Sequence, residues 1–189
     1  MIEVARKRGR WKLVKDSRFN RRITANTPIE LGGPARGSSL LRTKDDPTGT
    51  RTLGTFGNCA GGETPWGTYL TAEENIQDYF GNLATLRARQ DVDPFVIEAH
   101  RRFRMWNNAS LYGWEVTDPR FDLAQEPCEP FRCGWIVEID PRDPQRAPVK
   151  RTALGRFAHE GASPVIAPDG RIAVYMGDDD KFEYVYKFV

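Results

Sequence analysis

The sequence predicts an all-β fold with long loops and one short helix. Three observations carry this expectation. Short apolar runs, several of them alternating with polar residues, recur at roughly 8–12-residue spacing. Glycine and proline, 17 and 13 of the 189 residues, punctuate the gaps between them. The βαβ alternation that builds a parallel doubly wound sheet is missing. A sandwich, a barrel or a propeller fits this pattern. Closed propellers need about four to eight four-stranded blades, and a chain of this length holds two or three, so as a propeller it would be incomplete.

At the amino terminus Ile2 and Val4 alternate with polar residues, Arg8-Gly9 offers a turn, and Trp11, Leu13 and Val14 resume the apolar pattern of a hairpin. Nine Lys and Arg stand against Glu3 and Asp16 in residues 1–22. Such a cluster is either a nucleic-acid arm or a solvated edge, where Lys and Arg discourage edge-to-edge pairing. The whole chain sets 28 Lys and Arg against 26 Asp and Glu, for a net charge of +2. That near-neutrality favours the edge and argues against nucleic acid as a partner.

Residues 26–50 read as loop, broken by Gly32-Gly33-Pro34 and Asp46-Pro47. A strand is expected over Arg51–Phe56, then a Gly/Pro-rich stretch Gly57–Pro65, then a strand over Trp66–Glu73. The helix starts at Asp93, a good N-cap, with Pro94 at its first position. Phe95, Ala99, Phe103 and Trp106 would form its buried stripe, and His100, beside Arg101 and Arg102, would face solvent. Trp135–Ile139 is a strand with Val149–Leu154 as its partner. Val165-Ile166 and Ile172–Met176 flank a tight turn at Ala167-Pro168-Asp169-Gly170. Alternation of Phe182, Tyr184, Tyr186 and Phe188 runs to the last residue, so this strand reads as cut.

A composition of 39% hydrophobic and 11% aromatic residues supports a folded core. No apolar run approaches the ~18 residues that cross a bilayer, and MIEVARKRGR lacks the apolar stretch of a secretory signal. Of three cysteines, Cys128 and Cys133 could pair in an oxidising compartment or remain two reduced thiols. No second Cys or His pair completes a zinc ribbon.

Signatures of P-loops, serine-hydrolase elbows, zincin helices and EF-hands are missing. Four sets of residues remain: Cys59 in Asn58-Cys59-Ala60-Gly61-Gly62, Glu73-Glu74, His159-Glu160, and Asp178-Asp179-Asp180. Carboxylates suit hard cations such as calcium, while a thiolate favours softer or redox metals such as iron. Each set taken alone is also ordinary, as a solvated strand end or a hydrated turn. On a strand only one of Glu73 and Glu74 can point into a site.

The segment Asn58-Cys59-Ala60-Gly61-Gly62-Glu63-Thr64-Pro65-Trp66-Gly67-Thr68-Tyr69-Leu70-Thr71-Ala72-Glu73-Glu74-Asn75 resembles the hallmark of the PhoX-type alkaline phosphatases. Residues 134–141, 153–162 and 174–188 are similar to further family stretches, in the same order and spacing. Ala72 stands where many relatives carry Cys. The resemblance implies a six-bladed β-propeller with iron and calcium in its central channel, of which residues 1–189 would form a partial propeller domain of two to three blades. It implies hydrolysis of phosphomonoesters, with Cys59 as an iron ligand, Glu74 (in preference to Glu73) and Glu160 as carboxylate ligands, Asp178 and Asp179 as calcium ligands, and Asn58 close to the phosphate. A bacterial, periplasmic or extracellular protein, monomeric at full length, is also implied. The family's phosphate-binding arginine, later acidic ligands and twin-arginine leader find no counterpart, so the chain is expected to be an incomplete phosphatase. Two other readings stay open: a non-catalytic calcium-binding propeller fragment or interaction module, and a calcium-dependent lactonase. Cys59 discriminates, because a purely structural calcium site has no use for a thiolate.

Overall fold

Alternation and turn chemistry resolve into eleven strands in three sheets in a computed structural model that describes residues 1–189. The amino-terminal hairpin forms as expected: β1 (Val4–Lys7) and β2 (Arg10–Leu13) pair antiparallel around Arg8 and Gly9, both at positive φ. The largest sheet takes β3 (Pro28–Gly32), β4 (Arg51–Leu53), β5 (Asn58–Glu63), β6 (Tyr69–Glu73), β7 (Ile136–Ile139) and β8 (Val149–Arg151) in the order β4-β3-β8-β7-β6-β5. Every neighbouring pair in it is antiparallel except β3 and β8. A third sheet orders β9 (Ser163–Ile166), β10 (Ile172–Gly177) and β11 (Val185–Phe188) as β11-β10-β9. Its β9–β10 turn closes as predicted, with Gly170 at φ 82° and its amide donating to the Ala167 carbonyl. The chain is mostly β with few helices.

Two strands lie where loops were expected. In β3 the side chains alternate, Ile29 and Leu31 inward and Pro28 and Glu30 outward, within a stretch dominated by breakers. In β5 the glycines serve close approach rather than a turn. A Cβ on Gly61 would stand 2.0 Å from the Leu70 carbonyl oxygen, and one on Gly62 would stand 2.1 Å from that of Ala162.

Between β6 and β7 the chain makes a long excursion containing α1 (Leu83–Ala88), α2 (Pro94–Arg102) and several 3-10 turns. Helix α2 begins as expected, the Asp93 carboxylate accepting from the Phe95 amide at 2.9 Å. Its buried face differs from the expected stripe. Val96 and His100 are buried, whereas Phe95 and Trp106 are 57% and 65% exposed. Val96 inserts among Leu31, Leu41 and Phe131, which rotates Phe95 outward. His100 packs on the Phe131 ring, and its Nε2 lies 2.7 Å from the Pro127 carbonyl oxygen. The expectation of a solvent-facing His100 is therefore corrected, and burial pushes its pKa down to about 4. Helix α1 makes a second helix where one was expected; Asn82 opens it in the left-handed region without a side-chain cap.

All three cysteines are free. Cys133 is buried in the cluster of Phe56, Phe80, Leu83, Phe121 and Leu123, whereas Cys128 packs at the edge of the one around Leu31. A further cluster, Leu70, Ala72, Ile136, Ala162, Val174 and Met176, joins the six-stranded sheet to β10. Each large apolar side chain buried there stabilises by about 1.5–3 kcal/mol. No helix is long and apolar enough to cross a membrane.

A buried ion pair anchors the centre of the large sheet. Glu73 Oε1 and Lys150 Nζ, both fully buried, are 2.8 Å apart. Glu73 Oε2 also accepts from the Gly134 and Trp135 amides at 2.9 and 3.1 Å. Removing one partner strands a buried charge, so Lys150→Met should cost about 3 kcal/mol in urea unfolding. Acid sensitivity follows from His100: its pKa falls from 6.5 to about 4 on folding, so folding excludes a proton between those values. His100 stabilisation is complete above pH 6.5 and is lost as the pH falls towards 4. Unfolding free energies measured between pH 7 and pH 4 should therefore decline less steeply for His100→Gln than for the wild type.

Candidate metal centre

Four chain segments meet at one end of β5 and β6, and backbone hydrogen bonds set their positions. The Glu74 amide donates to the Gly57 carbonyl at 3.0 Å, and that of His159 to the Glu73 carbonyl at 3.2 Å. Ala60 N donates to Glu160 O at 2.8 Å, Glu160 N to Gly177 O at 3.2 Å, and Asp179 N to Ala158 O at 2.9 Å. Within β5 the register shifts: Asn58 lies opposite Glu73 but Gly61 opposite Thr71, so β5 carries one extra residue against β6. This bulge falls at Cys59 and Ala60. Bulges bend a strand and re-aim a side chain next to a site, and here Cys59 is brought against Glu74.

Strand alternation separates the paired glutamates. Glu73 points into the core towards Lys150, and Glu74 points to the segment junction. One oxygen each from Glu74, Glu160 and Asp179 gather within 4.8 Å of one another, Glu74 buried and the other two exposed. Donors sharing one ion at 2.3–2.6 Å can stand at most about 5 Å apart, so this set fits a hard divalent cation. Like charges this close repel one another. Burial, followed by the neighbouring Asp179 carboxyl, raises the Glu74 pKa. Its hydrogen bond to Glu74, then burial, then the Glu74 charge raise that of the Cys59 thiol. A bound cation would relieve this repulsion and draw the thiol towards thiolate.

The other expected residues lie close by but in different roles. Asp178 stands in the same turn, where its Oδ1 accepts from the Ala158 amide at 3.1 Å, and its carboxylate is outside the group of three. Burial raises its pKa. Asn58 Nδ2 donates to Thr55 Oγ1 at 2.8 Å and to Thr71 Oγ1 at 3.1 Å. His159 is buried, Nε2 at 3.0 Å from the Gly155 carbonyl oxygen, and takes no part. A cleft of about 500 Å³ adjoins the group, lined by Glu74, Asp178, Phe103, Arg104, Arg156 and Phe157 among others. Arg102 and Arg104, which sequence reasoning passed over, reach the Asp178–Glu183 turn from the end of α2. The basic run Arg101-Arg102-Phe103-Arg104 was the available signal.

Fold and donor set together define a class: a mostly β protein that gathers hard oxygen donors from separate segments beside a thiol, a combination suited to metal ions. The family described as alkaline phosphatase PhoX has a model that matches residues 1–189. The chain belongs to this family. It is similar to a solved structure of Pseudomonas fluorescens PhoX in complex with vanadate, a transition state analogue, at 52% identity and a TM-score of 0.86. The match covers 99% of this chain and 31% of that one, so the chain spans less than a third of its length. Comparison with curated proteins gives no match.

The contact between Glu74 and Cys59 is open to direct measurement. Cys59 is exposed, yet the Glu74 carboxylate disfavours its thiolate. Glu74→Gln should therefore speed iodoacetamide labelling of Cys59 several-fold at pH 8 in the presence of a chelator, while the buried Cys133 stays unreactive. Mass spectrometry of labelled peptides reads both.

Proposed function

We propose that this chain contributes ligands to the metal centre of a phosphomonoesterase. The reading rests on the gathering of Glu74, Glu160 and Asp179 within 4.8 Å beside Cys59, in a chain of the PhoX family. In this reading calcium is held by Glu74, Glu160 and Asp179, with Asp178 alongside, and iron by the Cys59 thiolate. When bound, such cations supply Lewis-acid stabilisation of the charge that develops on a transferring phosphoryl group. The residues of this chain orient that chemistry. Asn58, whose side-chain amide donates to Thr55 and Thr71, exchanges one of these partners for a phosphate oxygen. Glu73 locks the neighbouring strand so that Glu74 cannot turn inward, and the bulge keeps Cys59 on the same side.

The substrate in this reading is a phosphomonoester, in keeping with the vanadate held by the P. fluorescens protein. We also propose that residues 1–189 are two to three blades of a larger six-bladed propeller, incomplete as an enzyme alone, in a protein that is monomeric at full length and works in the periplasm or outside the cell. The 31% coverage of the matched structure at a TM-score of 0.86 supports the larger assembly. A second reading, a calcium site without catalysis, draws on the position of Cys59 outside the three-carboxylate group.

Elemental analysis of the purified chain separates the two. Under the phosphomonoesterase reading the protein retains iron and calcium, Cys59→Ala loses iron but keeps calcium, and Glu74→Gln weakens calcium binding by about tenfold or more. Calcium without iron, unchanged in Cys59→Ala, would favour the structural site and overturn the first reading.

A further inference from the structure

The turn from Asp178 to Glu183 carries four carboxylates in six residues and faces Glu74 and Glu160. At such spacing like charges repel, and an unrestrained turn would swing away. Two arginines cross to it from the end of α2. Arg102 pairs with Glu183. Arg104 Nε stands 3.7 Å from Asp180 Oδ2, and its Nη1 donates to the Asp179 carbonyl oxygen at 3.3 Å. Of the turn's three carboxylates outside the Glu74–Glu160–Asp179 group, the arginines thus engage Asp180 and Glu183, while Asp178 accepts from the Ala158 amide. They meet Asp179 only through its backbone and leave its carboxylate without an arginine partner.

Their own platform is fixed. His100 is held at Pro127, the Phe103 ring lies 3.6 Å from the Arg156 guanidinium carbon, and Met105 is buried. Between them Arg104 takes φ 59°, a left-handed conformation rarely adopted by residues with long side chains. Strain of this kind persists only where the surroundings enforce it, and here it falls at the residue that reaches the acidic turn.

We propose that Arg104, assisted by Arg102, is a positioning residue for the metal centre, pinning the Asp178–Glu183 turn so that the Asp179 carboxylate faces Glu74 and Glu160. The proposal rests on the reading of that group as a cation site. Neither arginine is a ligand. Charge alone predicts the opposite sign, because an arginine beside a cation site repels the cation and its removal would tighten binding. Pinning predicts weaker binding, by about tenfold for the loss of a supporting partner.

Calcium titration calorimetry on the chain tests this, with thermal melts to confirm folding. Arg104→Asn is the chosen variant because asparagine tolerates a left-handed backbone. It should bind calcium about tenfold more weakly than the wild type. Arg102→Glu should also bind more weakly, and the exchange pair Arg102→Glu with Glu183→Arg should recover affinity. If Arg104→Asn fails to fold, the Arg102 single variant and the exchange pair decide the matter. Folded arginine variants with unchanged or tighter affinity, in a protein that loses calcium in Glu74→Gln, would overturn the positioning role alone. A wild type that binds no calcium, or binds it equally well in Glu74→Gln, would overturn the cation-site reading and this inference with it.

Discussion

Three carboxylates do not gather within 4.8 Å of their own accord. What holds them there is a lattice of backbone hydrogen bonds joining residues 57–60, 73–74, 158–160 and 177–179. Backbone amides and carbonyls are obligatory partners once removed from water, so satisfying them fixes the four segments whatever their side chains prefer. Burial, followed by the neighbouring Asp179 carboxyl, raises the pKa of Glu74, and the hydrogen bond to Glu74, then burial and the Glu74 charge, raise that of Cys59. The rest of the molecule serves this junction. The sheets supply rigid ends, the apolar seam through Ala72, Ile136 and Val174 holds the two larger sheets together, and the excursion after β6 closes over one side.

Charges buried in the core are treated in the opposite way from those at the junction. Glu73 is matched by Lys150 and two amides, and Glu129 lies between Arg120 at 3.3 Å and Arg132 at 3.2 Å. A buried carboxylate persists only when paired in this manner. Glu74, one residue from Glu73, has no cationic side chain beside it. The contrast between adjacent residues of one strand is a physical reason to see Glu74 as held ready for an external cation, and Glu73 as part of the scaffold.

Much of this was legible in the sequence where local rules act alone. Asp93-Pro94 marked the start of α2, Ala167-Pro168-Asp169-Gly170 marked a turn, and period-2 alternation allows only one member of the 73–74 pair to face the site. The errors arose where tertiary contact overrides local pattern. Gly61 and Gly62 read as breakers because glycine usually is one, yet here they admit the Leu70 and Ala162 carbonyls. His100 read as exposed because its sequence neighbours are arginines, but helix orientation was decided by Val96 docking beside Leu31. The role of Arg104 could not be read at all, since it depends on a residue 76 positions away in Asp180. Resemblance named the candidate ligands, whereas only the folded chain separates Asp178, tied to an amide, from Asp179, left free.

The extra residue in β5 also sets what the hallmark segment can absorb. Exchanging the Cys59 side chain leaves the ladder intact, whereas Gly61 and Gly62 admit no side chain at all. Deleting Ala60 would straighten the strand into regular pairing with β6 and remove the bend that presents the sulfur to Glu74. Such a protein could be better paired than the original and yet chemically mute, so at the bulge the number of residues matters as much as their identity.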